Sequence, residues 1–328
     1  MSDSAYLTAL LEQFGEMNTD NFIVQYTPPL VFICGGPTVK IGASLRERIF
    51  RYAAGEKPEL FNALVLAENS KDYFKNGAYS DLMQFEEDIA NISTLIVICL
   101  ESAGSLVELG LFANRKMLAQ RLLVFVPAEE LEGDEENDIP PKSSFIYLGP
   151  IENLRRIDKN SVSIYPWPKD DSVRYDDIDL VVHDIEERLR NIKKTEGFDK
   201  DNTGHLAILI YEIIYLSEPI KKIEIDWALC CIGIELSSAK ITRLIYLLEM
   251  MKLISSEGYS GTDYFYLKNP QISKMKFGRS SKGKVQDAPN IRVAIRQSYL
   301  LNVDVDETAK KRKNVLVRIN ALRERNRK

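Results

Sequence analysis

The sequence predicts an open, doubly wound α/β sheet of about five parallel strands, followed by a small helical domain and a basic tail. Three observations predict it. Short apolar runs recur between residues 29 and 167: PLVFICGG, NALVLAE, TLIVICL, RLLVFVP and NSVSIYPW. Each has the length of a strand and is apolar on both faces, as in a parallel sheet covered by helices. Helix-like segments separate and follow them, at roughly 41–54, 80–92, 105–119, 143–157 and 173–194. Beyond about residue 200 the alternation stops and a different pattern begins.

In chain order, residues 1–28 read as a helical lead-in and 29–197 as the α/β domain, with a flavodoxin/Rossmann-like sheet. Its last helix, DIDLVVHDIEERLRNIKK, has apolar positions at helical spacing and basic residues in its final turns. The acidic stretch EELEGDEEND (129–138) reads as a solvated loop. In residues 198–270 a helix, HLAILIYEIIYLS, is followed by IDWALCCIGI, the polar break ELSSA, and KITRLIYLLEMMKLI with its continuous apolar stripe. SSEGYSGTDYFYLK closes the segment as a hairpin whose turn is expected to contain Gly258 and Gly261. Helix, helix, turn, helix and hairpin is the order of a winged helix-turn-helix. Its third helix would start at a Ser237/Ser238 cap and present Lys240 and Arg243 outward, toward nucleic acid. The alternative is a small helical dimerisation module.

Residues 271–328 form the basic extension. They hold 16 Lys or Arg against 5 Asp or Glu, so beneath the overall charge of −5 the rest of the chain carries −16. An acidic body with a basic tail points to an anionic partner, nucleic acid before membrane, because the tail lacks bulky apolar anchors. KMKFGRSSKGK reads as a flexible segment. ETAKKRKNVLVRINALRERNRK reads as a basic helix, with Lys310, Lys311, Arg312 and Lys313 offered to phosphate. Its apolar stripe of Val315, Leu316, Ile319 and Leu322 would dock on a partner or on this chain.

Composition excludes several classes. The chain of 328 residues, 45% hydrophobic and 28% charged, has the balance of a soluble globular protein and length for two domains. Its longest apolar stretch, LAILIYEIIYL, is about half of what a membrane helix needs and contains Glu212. With no signal segment at the start, a cytoplasmic protein is expected. Cys34, Cys99, Cys230 and Cys231 have no CxxC spacing and read as buried packing thiols, with no metal site. Only two histidines exist, His183 and His205, so a catalyst here would work with carboxylates.

In open α/β sheets ligands sit at the carboxyl ends of the strands. Two loops lie there. In CGGPT (34–38), Gly35 and Gly36 would let backbone N–H groups approach a phosphate or sugar, although a tight turn explains them equally well. In ESAGSLVELGLFAN (101–114), Ser105-Leu106-Val107-Glu108 matches the S-x-x-E capping box. Capping does not require Ala103, Gly104 and Gly110 around it, whereas a ligand close to the backbone would. A glutamate in the first helical turn feels the positive helix end and suits attack on an anomeric carbon. Glu108 therefore reads either as a cap or as a catalyst.

ESAGSLVELGLFAN, with TLIVICL before it, FICGG and KSSFIYLGPIENLRR, resembles the nucleoside 2-deoxyribosyltransferase-like family. The chain most resembles the effectors of retron anti-phage systems, which join such a domain to a winged-helix-like part. The resemblance covers residues 29–160 well, is weaker to 270 and is absent from the tail. It implies that Glu108 is the nucleophile at C1′, and that Glu86, or Glu87 in its place, contacts the base. It assigns Gly35, Gly36, Ser102, Gly104 and Ser105 to the ribose or phosphates. Two departures, Ser102 where many transferases have aspartate and Ser93-Thr94 in place of an Ala-Asp pair, put transfer between free bases in doubt. They are compatible with hydrolysis of a larger nucleotide. The resemblance thus implies a toxin-like N-glycosidase acting on NAD or a related nucleotide as substrate, without a cofactor. Its implied partners are the retron reverse transcriptase and its multicopy single-stranded DNA/RNA, and it leaves a homo-oligomer open. The alternative is a nucleotide-sensing DNA-binding regulator without turnover.

Overall fold

The computed structural model describes residues 4–66, 78–129, 146–168, 174–270 and 272–325. The chain divides into two compact units: residues 26–69 with 85–194, and residues 1–25 with 70–84 and 195–328.

The first unit is built on a five-stranded parallel sheet: β1 Val31–Cys34, β2 Leu64–Val65, β3 Leu95–Cys99, β4 Leu122–Pro127 and β5 Val162–Tyr165. All five apolar runs of the sequence are strands. They lie in the order β2-β1-β3-β4-β5, with Val31 beside Leu95, Ile96 beside Leu122 and Val124 beside Val162. The strand order reverses between β1 and β3, which opens a crevice at the carboxyl ends of these two strands. Strands β1, β3 and β4 are buried along their whole length, which is why they read as unbroken apolar runs. The edge strands β2 and β5 are only partly covered.

Helices cover both faces of the sheet. On one, α1 (Leu45–Glu56) buries Leu45, Ile49 and Ala53 at i, i+4 and i+8. A later helix, Ile178–Asn191, buries Val181, Val182 and Ile185 beside them, all packed with Val31, Ile33, Val97 and Cys99. Phe32 points the other way by strand alternation. It meets Phe112 edge to face, with ring centroids 6.2 Å apart. Phe112 belongs to α3 (Ala103–Ala113), which follows α2 (Leu82–Ile92) in the chain.

Two of the expected helices differ in detail. The segment expected at 105–119 begins earlier and is broken, Ala103–Ala113 and then the single turn Lys116–Ala119. The one expected at 143–157 is a π-helical turn, Tyr147–Ile151, leading into Glu152–Ile157. Pro150 lies inside that turn; lacking an N–H, it cannot continue a regular α-helical ladder. The acidic stretch from residue 130 onward lies outside the described residues.

The second unit gathers both ends of the chain. Ile23–Gln25 pairs antiparallel with Thr195–Gly197 on one side and with Met275–Lys276 on the other. KMKFGRSSKGK, expected to be flexible, is therefore ordered: it supplies a strand and then a tight bridge between Arg279 and Val285. The helices Thr203–Ser217, Lys222–Cys231 and Ser238–Met250 precede the hairpin Ile254–Tyr259/Thr262–Leu267. Ser237 caps the third helix, accepting the Lys240 N–H. The hairpin turns at Ser260 and Gly261, both with positive φ (49° and 73°) as a two-residue type I′ turn requires. Gly258, expected in that turn, lies in the strand opposite Asp263. Of the cysteines, Cys34 and Cys99 are buried, but Cys230 is exposed and Cys231 partly so. Helix Lys222–Cys231 turns only one face inward, so adjacent cysteines at its end cannot both pack.

Two further helices, Ala288–Leu300 and Glu307–Arg325, close the unit. The apolar stripe of the basic tail docks on this chain: Val315 and Ile319 pack on Tyr264 and Tyr266 of the hairpin. Arg312, expected to meet phosphate, is buried at 4% exposure. Its guanidinium bonds the Glu224 carboxylate at 2.6 Å and the Pro219 carbonyl, and lies 3.4 Å over the Tyr6 ring. It holds the tail in place and has no face for a ligand. Lys310, Lys311 and Lys313, on the opposite side of the helix, are exposed. A second buried carboxylate works the same way: Glu218 receives Arg292 at 2.7 Å, Arg296 at 3.4 Å and Arg323 at 2.6 Å.

No helix among the described residues is long and apolar enough to cross a membrane. Removing one member of a buried ion pair strands the other. Arg312→Ala, which leaves Glu224 buried without its partner, is therefore expected to lower the unfolding free energy by about 3–5 kcal/mol. Lys313→Ala should stay within about 0.5 kcal/mol of the parent. Urea denaturation of the two variants checks the contrast.

Candidate functional site

The crevice between β1 and β3 holds a cavity of about 560 Å³. Gly36 and Pro37 follow β1, Gly42 to Leu45 lead into α1, and Arg48 reaches in from that helix. Leu100 to Ala103 and Leu106 come from the end of β3 and the start of α3, and Pro127, Glu129, Trp167 and Pro168 close the far side. Its size and mixed apolar and polar lining are those of a small-molecule site.

Glu101, the residue missed by sequence reading, organises this floor. Its carboxylate accepts the N–H of Gly36 at 2.8 Å, of Leu45 at 2.7 Å and of Arg46 at 3.2 Å. Burial pushes its pKa up, while these three N–H bonds and the Arg46 charge pull it down; burial prevails. The same carboxylate explains the two glycines. A Cβ on Gly35 would stand 2.7 Å from Glu101 Oε1, and one on Gly36 would stand 2.7 Å from the Ser44 side chain and 3.2 Å from the Glu101 carboxyl carbon. The Gly35/Gly36 loop, expected to seat phosphates, thus gives the Gly36 N–H and the first turn of α1 to a carboxylate of the protein itself. The signal was present in the sequence: Glu101 stands at the carboxyl end of a buried strand, one residue before a helix cap.

The cap is also not where the S-x-x-E pattern put it. Ser102 is the N-cap of α3, its Oγ accepting the Ser105 N–H at 3.1 Å. Ser105 Oγ accepts in return from the N–H groups of Ser102 at 3.1 Å and Glu101 at 3.2 Å. The box closes between two serines, and Glu108 sits a turn further on, with no acidic residue in the first turn. The capping account of Glu108 falls away, and with it the argument from the helix end. Ser105 is fully buried in the box, so it shapes the floor without facing a ligand. Of the small residues expected at the ligand, Gly36 and Ser102 line the cavity; among the described residues Gly35, Gly104 and Ser105 do not.

Glu86 on α2 and Glu108 on α3 both bear electrostatically on Cys34, the last residue of β1. Burial pushes the Cys34 thiol well above its ordinary pKa, and the charges of Glu108 and then Glu86 raise it further. The neighbouring Cys99 thiol is raised by burial, by Glu101 and by Glu108. Two carboxylates from different helices therefore act on one buried thiol, and Glu101 and Glu108 act on the next. Neither Glu86 nor Glu108 is among the described residues lining the cavity around Glu101. Glu87, the substitute for Glu86, is engaged instead with Arg115 at 2.7 Å. Ser93 and Thr94 bear on none of this. They lie at the amino end of β3, away from the crevice, and bond backbone carbonyls of Ile89 and Tyr26.

The expected nucleic-acid residues are scattered by the fold. Lys240 and Arg243 are partly buried on the third helix of the second unit, and Arg243 lies over the Tyr79 ring at 5.8 Å. Arg312 is withdrawn into the core of that unit, which leaves Lys310, Lys311 and Lys313 as exposed cations of the tail helix. Among the described residues no cluster of three His, Cys, Asp or Glu side chains could hold a metal ion.

A parallel sheet with strand order reversing over a carboxylate-floored cavity defines a Rossmann-like α/β domain, which the chain joins to a second unit of helices and a hairpin. The chain belongs to the family described as STM3845 retron effector protein, which it matches over residues 42–256. It is also 27% identical, over 133 residues, to a protein of Escherichia coli named "Retron Ec86 putative ribosyltransferase/DNA-binding protein". That match covers 40% of this chain and 39% of the relative; the chain thus aligns with about two fifths of that protein's length.

Glu101→Ala would leave the N–H groups of Gly36, Leu45 and Arg46 without their acceptor. An unsatisfied buried donor costs about 1–3 kcal/mol. The variant is expected to lose at least that much unfolding free energy in urea denaturation, and Glu101→Gln, which keeps one acceptor oxygen, to lose less.

Proposed function

We propose that this retron effector acts on the N-glycosidic bond of a nucleotide, NAD or a related one, at the carboxyl ends of β1 and β3. What supports the reading is that Glu86 and Glu108 both bear electrostatically on Cys34, the last residue of β1, whose following loop lines the cavity through Gly36. The relative's name, a ribosyltransferase, supports the same chemistry. In this reading Glu108 faces the anomeric carbon. Its carboxylate attacks C1′ or stabilises the oxocarbenium-like centre as the C1′–N bond breaks, and the bonding electron pair leaves with the base. Glu86 contacts the base. Gly36 and Ser102 shape the cavity wall at the ribose.

The three helices and hairpin of the second unit have the order of a winged helix. Together with the exposed Lys310, Lys311 and Lys313 they would engage the retron's reverse transcriptase and its multicopy DNA/RNA, which would hold the activity in check. The relative's name also includes DNA binding. This favours a second reading, in which the α/β unit senses a nucleotide without turnover while the second unit binds DNA.

Release of free base from NAD and from nucleotides, by the chain alone and together with its reverse transcriptase and DNA/RNA, separates the two. Replacing Glu108 by Gln is expected to lower release by about 100-fold or more, in line with the loss of a positioned catalytic group. Equal release by both proteins would remove Glu108 from the mechanism. Tight nucleotide binding with no release under either condition would favour the sensing reading.

A further inference from the structure

The cavity beside the glutamates does not end at α1. A second cavity of about 450 Å³ opens along the same helix, lined by Arg48, Arg51, Tyr52, Gly55 and Glu56, and across from them by Arg174, Tyr175 and Ile178. Arg48 lines both cavities. It is buried, with Nη1 donating to the Ser44 carbonyl at 3.0 Å, so its guanidinium is held in place between them. A second link runs through Tyr175, which donates its hydroxyl to the Pro166 carbonyl at 2.8 Å, next to Trp167 of the first cavity. Arg48 and Glu129 of the first cavity both act electrostatically on Tyr175.

Arginines and aromatic rings in this arrangement have a specific chemistry. A guanidinium presents a fork of donors that matches phosphate oxygens, and a tyrosine ring offers a flat face to a base. Among the described residues, three arginines and one carboxylate, Glu56, line the second cavity. Arg51 bonds the buried Glu47 carboxylate at 3.2 Å, whereas Arg174 bonds Asp176 at 2.7 Å in an exposed pair, which is weak. In the first cavity the carboxylate of Glu101 is taken up by backbone N–H groups, and that of Glu129 by the Trp167 N–H at 3.0 Å. Guanidinium groups therefore gather along the second cavity, and Arg48 lines it together with the first.

Resting on the N-glycosidic reading above, we infer that the second cavity is a phosphate subsite. The substrate is a nucleotide whose phosphate-bearing extension passes Arg48 and lies among Arg51, Arg174, Tyr52 and Tyr175. A free nucleoside would leave this cavity empty. The extension is either a terminal phosphate or a pyrophosphate carrying a second nucleoside, and binding measurements tell these apart.

Calorimetric titration of the full chain carrying Glu108→Gln, with adenosine, AMP and NAD in turn, tests the inference. AMP or NAD is expected to bind at least tenfold more tightly than adenosine, and the double replacement Arg51→Gln/Arg174→Gln to bring that ratio toward one. A rise for NAD well beyond AMP assigns the cavity to a pyrophosphate-linked second nucleoside, and equal rises assign it to a single phosphate. Arg51→Lys/Arg174→Lys, which keeps the charge, should retain most of the preference. Equal affinity for adenosine and its phosphorylated forms, or a preference that survives the glutamine pair, would overturn the subsite while leaving the N-glycosidic reading intact. Failure of all three ligands to bind would overturn both.

Discussion

A single carboxylate sets the geometry on which the candidate site depends. Glu101 stands where β3 ends and reaches across the crevice to take the N–H groups of Gly36, Leu45 and Arg46. The loop after β1 and the first turn of α1 are thereby tied to the end of β3. Only glycine fits at residues 35 and 36 because the carboxylate and the Ser44 side chain occupy the space a Cβ would take. Three N–H groups also keep a buried acid satisfied at a place where it would otherwise be costly. The position of α1, and of Arg48 on it, follows from that tie.

A second device acts in the other unit, with the same logic and the opposite sign. There, arginines fix the tail helices to buried carboxylates near the cis Glu218–Pro219 bond: Arg312 to Glu224, and Arg292, Arg296 and Arg323 to Glu218. Part of the tail's positive charge that invites a nucleic-acid reading is thus internal scaffolding. Lys276, Arg279, Lys282, Lys284, Lys310, Lys311, Lys313, Arg318 and Arg325 remain exposed, so phosphate attraction at this surface is somewhat weaker than the sequence count of cations implies.

The sheet was legible because its physics is local to each strand. A strand buried on both faces has to be apolar throughout, so five such runs announce five strands, and TLIVICL could hardly be anything else. The roles expected of Glu86 and Glu108 come from resemblance to a family and not from spacing. The cap was misplaced because two serines three residues apart compete for the same helix end. Ser102 won, and its box with Ser105 does not use the glutamate that the S-x-x-E pattern requires. Glu101, Arg48 and Trp167 were not singled out, since each acquires its role from a residue distant in the chain.

By itself the sequence determined the five strands of the parallel sheet, most of the helices between them, the hairpin and the surplus of charge in the tail. These follow from apolar periodicity and composition, which each segment carries on its own. Only the tertiary structure decided which charges are spent inside. It turned Arg312 inward and left Lys313 outside, filled the glycine loop with Glu101, and placed Arg48 between two cavities. The physical reason is that a charged side chain takes its function from its partner and its burial. Both are set by segments that meet only after the chain has folded.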